Sequence, residues 1–237
     1  MNLVQPFSRE HAETMVVVVG VIAGVVGYGR SLSIERAHNA SRVFAVVLML
    51  FYVVENAIRV GLLGAPVSVI FPFELCSILF FVAAAGFWTN KRWLLDIVVF
   101  WTFSGTFQAM ITPTPWGEFL SLEYVRYFAA HSILVLAATW AVIAHGHRPT
   151  PMGAVRAFIL LQIWAAIGGT VNALSGQNYM FLRHPPRSPT LFDYLGRWPW
   201  YILSLELVGI ISFAIWLGLW ALVLKTPLAR PEKRSEA

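Results

Sequence analysis

The segment YILSLELVGIISFAIWLGLWALVL, residues 201–224, decides the fold class of this chain. It carries one charged residue, Glu206, and no proline. A helix rises about 1.5 Å per residue, so a run of this length crosses the roughly 30 Å hydrocarbon core of a lipid bilayer. The segment therefore predicts a transmembrane helix.

The composition of the whole chain extends this prediction. Of 237 residues, 58% are hydrophobic and 12% are charged, with a mean hydropathy of +0.68. A soluble domain carries about twice that share of charged residues. We predict an all-α, polytopic integral membrane bundle of seven transmembrane helices, or six if the short, glycine-rich first one does not span. The predicted helices cover residues 14–28, 43–63, 67–88, 93–112, 124–144, 155–174 and 201–224.

The basic residues predict the orientation of the bundle. We call the side of the N-terminus side A and the side of the C-terminus side B. Basic residues concentrate in the cytoplasmic segments of membrane proteins, so side B is predicted to be cytoplasmic and the N-terminus to lie outside the cell membrane. Residues 1–225 are expected to form the transmembrane domain and residues 226–237 a disordered cytoplasmic tail. Side B carries Arg30, Arg36, Arg42, Lys91, Arg92, Arg148, Arg156, Lys225, Arg230, Lys233 and Arg234, whereas side A carries Arg9, Arg126, Arg183, Arg187 and Arg197.

The net charge of +5 does not indicate nucleic-acid binding, because the basic residues sit at the ends of apolar blocks and form no polar face. The longest connection, residues 175–200, lies on side A and is rich in proline and aromatic residues. Aromatic rings prefer the boundary between lipid and water, so we expect this segment to form an ordered cap there.

Two reactive side chains are predicted at matching depth. The single cysteine, Cys76, lies in the third predicted helix, and His131 lies in the fifth. Counted from side A, both are roughly 10–14 Å deep. They can meet if these two helices are neighbours.

Other polar groups share this half of the membrane, where each needs a partner or a function. Glu55 and Arg59 are four residues apart on one helical face and are predicted to pair. A water-accessible cavity open to side A would satisfy the remaining groups, which we treat as candidates for a substrate pocket. They are Glu74, Gln108, Asn172, Gln177, Asn178, Tyr179 and Tyr201.

A cysteine near a histidine suggests nucleophilic catalysis, in which the imidazole removes the thiol proton and the thiolate attacks an acyl carbonyl. The amides of Gln108, Asn172, Gln177 or Asn178 could donate hydrogen bonds to the oxyanion. A metal site is not predicted, since the other histidines lie in loops or at helix ends on both sides of the membrane.

Each of these features also has a structural interpretation. A lone cysteine in a membrane helix is usually a small packing residue, and a lone histidine often makes a contact between helices. The Glu55 and Arg59 pair is more often a brace than a catalytic element. His145 and His147, in the HGH sequence, are expected in a solvated turn near the lipid headgroups.

Five motifs carry a resemblance to a known family: PFELCS at 72–77, GTFQAMITP at 105–113, YFAAH at 127–131, GQNYMFLR at 176–183 and SPTLFDYLGRWPWYI at 188–202. In this order, they resemble the YwaF-type bacterial integral membrane proteins and their animal relative transmembrane protein 164, an ether-phospholipid acyltransferase. The resemblance implies acyl transfer between phospholipids with Cys76 as nucleophile, His131 as base and no dissociable cofactor. Bacterial relatives commonly read PLHLC where this chain reads PFELC, so Glu74 replaces an expected histidine.

Three hypotheses of function follow. The first is a membrane lipid acyltransferase or acyl hydrolase acting on a phospholipid or fatty acyl chain through a Cys76 acyl-enzyme. The second is a noncatalytic lipid-binding protein or accessory subunit that docks with another membrane protein. A small-molecule transporter is the third, although the chain has no repeat between its halves.

Overall fold

The computed structural model describes residues 5–113, 118–186 and 190–230. These residues form helices and loops, and seven helices are long and apolar enough to cross a membrane. The prediction of seven spans is therefore confirmed, and the chain is a multi-pass membrane protein. The helices are α1 (Arg9–Ser31), α2 (Ile34–Gly61), α3 (Leu75–Thr89), α4 (Arg92–Trp101), α5 (Phe107–Ile111), α6 (Leu122–Ile143), α7 (Pro151–Ser175) and α8 (Trp200–Val223).

The third and fourth spans are composite. The third begins with a 3-10 turn, Val67–Ile70, and continues into α3. The fourth runs from α4 through a π-helical turn, Thr102–Thr106, into α5. The fourth span lies at the centre of the bundle, because α4 packs against α3, α6 and α7, and its residues from Leu94 to Trp101 are all buried.

Helix α2 begins nine residues before the predicted residue 43, at Ile34. Ser33 caps it, since its side chain accepts a hydrogen bond from the backbone N–H of Arg36. The first turns of α2 are polar, so an apolar pattern does not indicate them, although the backbone there is helical. This helix consequently extends beyond the hydrocarbon at side B.

Helix α1 spans the bundle and packs against α6. Near side A, the His11 ring nitrogen Nε2 lies 2.8 Å from the carbonyl oxygen of Met110. Near side B, Gly29 touches Trp140 and Ala144 so closely that a Cβ atom at residue 29 would overlap them. The short first block is therefore a full member of the bundle.

The HGH segment is not the solvated turn that we expected. His145 and His147 are 4% and 5% exposed. His147 Nε2 lies 2.9 Å from Asp96 Oδ1, and His145 bonds to Ser41 Oγ at 2.9 Å and to Asn90 Oδ1 at 2.8 Å. The prediction was wrong because these polar partners come from α2, α4 and the turn before α4, which adjacent sequence does not reveal.

His145 lies beyond the end of α6, outside the spans. Burial away from water, with a further contribution from nearby His38, lowers its pKa from 6.5 to about 3. The side chain is therefore neutral at physiological pH.

Residues 226–230, the described part of the expected tail, pack against the bundle. Ala229 is buried, and Arg230 donates hydrogen bonds to the carbonyl of Ala144 at 2.5 Å and to that of Gly29 at 2.8 Å. The carbonyls at the ends of α1 and α6 attract this guanidinium, which holds residues 226–230 against the bundle. The rest of the predicted tail, residues 231–237, lies outside the described residues.

Candidate functional site

Cys76 is the second residue of α3 and is half-buried against the core of the bundle. Its Sγ atom lies 3.5 Å from the hydroxyl oxygen of Thr106, at the end of the π turn. Sulfur is a large atom, so this distance is within hydrogen-bond range. The thiol thus faces the fourth span, and the residue as a whole is partly exposed.

His131 is half-buried in α6. Its Nδ1 atom lies 2.7 Å from the carbonyl oxygen of Tyr127, one turn earlier, and the two rings are 4.2 Å apart. A carbonyl oxygen can only accept a hydrogen bond, so Nδ1 of the neutral ring must carry the proton. The lone pair is then on Nε2, where a general base needs it.

The helices that carry these two residues are neighbours, which meets the condition that the catalytic hypothesis set. Helices α3 and α6 contact each other, and both contact the π turn. Within residues 5–113, 118–186 and 190–230, however, no hydrogen bond joins Cys76 to His131. The structure brings the two helices together and leaves the side chains without a direct bond.

Glu74 directly precedes α3 and connects it to the cap on side A. Its carboxylate accepts a hydrogen bond of 2.9 Å from the backbone N–H of Met180. Met180 and Phe181 both have positive φ, 55° and 54°, a conformation that costs energy in residues other than glycine. Glu74 therefore stabilises a strained turn of the cap, two residues away from the cysteine.

Asn172 and Tyr179 join α7 to the same cap. Asn172 is fully buried; its amide donates to the carbonyl of Tyr179 at 2.9 Å and accepts from the N–H of Tyr179 at 2.7 Å. The Tyr179 hydroxyl donates to the carbonyl of Ser68 at 2.9 Å, above α3. Both side chains are thus engaged in holding the cap.

The other candidate pocket residues lie at the edge of the site. Asn178 organises its own loop, because Oδ1 accepts from the N–H of Arg183 at 2.8 Å and Nδ2 donates to the carbonyl of His184 at 2.9 Å. The side chains of Gln108 and Gln177 are exposed. Hence none of these three amides points into an enclosed pocket with Cys76.

Tyr201 closes the far end of the cap. It is 1% exposed, and its hydroxyl donates to the carbonyl of Phe181. The indole N–H of Trp198 donates to the carbonyl of Leu182 at 3.1 Å. The described part of the 175–200 segment is therefore hydrogen-bonded onto the third, sixth and seventh spans.

The predicted pairing of Glu55 is only part of a larger ion cluster. Arg59 Nε is 3.8 Å from Glu55 Oε1, whereas Arg126 Nη1 is 2.5 Å from the same oxygen. Arg126 also pairs with Glu123. The cluster joins α2 to α6, and sequence spacing could not identify Arg126 because its partner lies in another helix.

A groove of about 600 Å³ separates part of α1 from α6. Its walls are largely apolar and include Val17, Val21, Tyr124 and Phe128. None of the predicted site residues lines it. Among the residues that the structure describes, no three His, Cys, Asp or Glu side chains are arranged to hold a metal ion.

The fold and the site define a polytopic helical membrane protein with a thiol and an imidazole on adjacent spans beneath a hydrogen-bonded cap. The chain belongs to the TMEM164 family, whose model matches residues 6–217. This match confirms the relation to transmembrane protein 164 that the five motifs indicate. No curated protein and no solved structure matches the chain significantly.

Proposed function

We propose that this protein is a membrane lipid acyltransferase or acyl hydrolase with Cys76 as nucleophile and His131 as general base. The observation that carries the proposal is the 2.7 Å contact between His131 Nδ1 and the carbonyl oxygen of Tyr127. The Tyr127 carbonyl occupies Nδ1, which leaves a basic Nε2 on the helix next to the one that carries the thiol.

In the first half of the reaction, His131 Nε2 takes the proton of the Cys76 thiol. The thiolate attacks the ester carbonyl of a phospholipid, and the tetrahedral intermediate collapses to a thioester. The protonated imidazole returns its proton to the leaving lipid alkoxide. In the second half, His131 deprotonates a lipid hydroxyl or a water molecule, which attacks the thioester and restores the thiol.

The geometry supports a substrate that arrives from the bilayer. Hydrogen bonds from Glu74, Tyr179 and Tyr201 hold the cap over the side A end of α3. Cys76 is nevertheless partly exposed. A phospholipid can reach the thiol laterally between spans, and binding must then bring Nε2 within hydrogen-bond reach of Sγ, since resting sites are often loose.

The charge distribution supports an orientation with side B in the cytoplasm. Side B carries most of the basic residues, and Arg36, Arg42, Lys91 and Arg92 are exposed there. We therefore propose a location in the cell membrane, with the site in its outer half.

The single cysteine makes the covalent mechanism directly testable. Purified protein incubated with a phospholipid that carries a tagged acyl chain should acquire a label that hydroxylamine removes. Cys76→Ala should abolish the label, while the neighbouring Ser77→Ala, as a matched control, should keep it. His131→Gln should slow labelling by about 100-fold, in line with general base catalysis, and His184→Gln in the cap should not. Unchanged acyl transfer by Cys76→Ala refutes the mechanism.

A second candidate is a noncatalytic lipid-binding or accessory subunit. The absence of a hydrogen bond between Cys76 and His131 in the described part of the chain favours it. In that case Cys76→Ala and His131→Gln would both leave function unchanged, and the protein would co-purify with a stable membrane protein partner.

A further inference from the structure

The threonines that lie inside the described helices divide into two groups by what their hydroxyls bind. In the α-helices, Thr14, Thr89, Thr139 and Thr170 each donate to the carbonyl four residues earlier, at 2.6–2.9 Å. This is the usual arrangement of a helical threonine. Among the described residues, Thr102 and Thr106 have no such bond, and both belong to the π turn.

The π turn explains why these two hydroxyls are different. Phe107 donates its backbone N–H to the carbonyl of Thr102, five residues earlier, so the turn is wider than an α-helical one. In this wider turn, the threonine hydroxyls are no longer aligned with the carbonyls four residues earlier, to which helical threonines usually donate. The hydroxyls of Thr102 and Thr106 are consequently available to groups outside their own helix.

Among the described residues, only one of these two hydroxyls has a hydrogen-bond partner. Thr106 is 0% exposed, and its hydroxyl lies 3.5 Å from Cys76 Sγ. Thr102 is also 0% exposed, but within the described residues its hydroxyl has no hydrogen-bond partner. The π turn therefore directs a buried hydroxyl at the single thiol of the protein.

We propose that Thr106 is a positioning residue, whose hydroxyl orients the Cys76 thiol and donates a hydrogen bond to the thiolate when it forms. The inference rests on the proposed function. A thiolate between membrane helices has few other donors, and a hydrogen bond to a charged group is stronger than one between neutral groups. Thr106 acts on the substrate only through Cys76.

The experiment measures how fast Cys76 is alkylated by a small maleimide as a function of pH, in full-length protein in lipid nanodiscs. Thr106→Val keeps the shape of the side chain and removes the hydroxyl, so alkylation at fixed pH should slow about tenfold and the pH profile should move to higher pH. Thr106→Ser should restore the rate to within about twofold of wild type.

Thr102→Val is the matched control, because it removes the other hydroxyl of the same π turn. It should leave alkylation of Cys76 unchanged. An unchanged rate in Thr106→Val, or an equal loss in Thr102→Val, overturns the proposal. Should Thr106→Val fail to fold, the contrast between Thr106→Ser and Thr106→Ala carries the same test.

Alkylation needs no lipid substrate, so the two proposals fail separately. Suppose that Thr106→Val slows the alkylation of Cys76 and Thr102→Val does not, but the wild-type protein transfers no acyl group. That result would overturn the proposed function and still support the role of Thr106 towards the thiol.

Discussion

The carboxylate of Glu74 lies 2.9 Å from the backbone nitrogen of Met180, which joins the residue before α3 to a strained turn of the cap. Glu74 therefore has a structural contact of its own.

Glu74→Ala should loosen the cap, because the turn at Met180 loses the side-chain oxygen that accepts its N–H. Trypsin should then cleave after Arg183 several times faster than in wild type, as followed by gel electrophoresis. Glu74→Gln keeps an acceptor oxygen and should protect the loop better than Glu74→Ala. Equal cleavage of all three proteins would show that the hydrogen bond does not hold the cap.

The two arginines near Glu55 should differ in their contribution to stability. Arg126→Ala removes the close, largely buried pair and should cost about 3 kcal/mol, which lowers the unfolding temperature in detergent. Arg59→Ala removes a partner that is 3.8 Å away and 28% exposed, so its effect should stay below about 1 kcal/mol. The reverse order would contradict the assignment of Arg126 as the main partner.

His145 should make the protein less stable in acid. Its pKa is about 3 in the folded protein and 6.5 in an exposed histidine, so between these values the unfolded chain binds a proton that the folded chain does not. Stability is then full above pH 6.5 and declines as the pH falls towards 3, by at most about 1.4 kcal/mol per pH unit.

In His145→Asn, the unfolding temperature should depend less on pH between pH 7 and pH 4. The variant should also be less stable than wild type at pH 7, because the hydrogen bonds of His145 to Ser41 and Asn90 change. His184→Gln, in the exposed cap, provides the control and should retain the slope. If the unfolding temperature of His145→Asn falls with pH as steeply as that of wild type, other groups cause the acid sensitivity.

Gly29 should tolerate no side chain, because a Cβ atom there overlaps Trp140 and Ala144 of α6. Gly29→Ala should destabilise the bundle by about 1–3 kcal/mol through overpacking. Gly24→Ala on the same helix has nothing within 4 Å and should be neutral or slightly stabilising. Thermal unfolding of the two variants compares them directly, and equal stabilities would mean that α1 can shift away from α6.

The proposed orientation predicts different behaviour for two reporters fused to the C-terminus. Green fluorescent protein should fluoresce, and alkaline phosphatase should be inactive, because its disulfides do not form in the reducing cytoplasm. Phosphatase activity at the C-terminus would place side B outside.

The spans were predictable because crossing the bilayer requires an apolar run about 20 residues long, and such a run can be identified in the sequence alone. The start of α2 was not, since its cap and polar turns satisfy helical geometry without apolar residues. Burial of His145 depends on Ser41 and Asn90, which are distant in sequence. Contacts of this kind arise only when helices pack.

Within the candidate site, depth counting gave Cys76 and His131 matching depths and left open whether their helices touch; the contact between α3 and α6 is a finding of the structure. Depth counting did not anticipate the π turn, for which the only cue is the Ser104 and Gly105 pair inside an apolar helix. It also counted Asn172 among the pocket residues, whereas its amide is committed to Tyr179. Polarity within a membrane segment indicates that a partner exists, and only the fold identifies that partner.

The bonds from Arg230 to Gly29 and Ala144 have a consequence for biogenesis. Helix α1, which is synthesised before the other described helices, is secured at one end by Arg230, which is synthesised after all of them. The bundle can therefore reach its final packing only after residue 230 has left the ribosome, and nascent chains that stop short of it should be degraded by quality-control proteases because α1 is not yet secured.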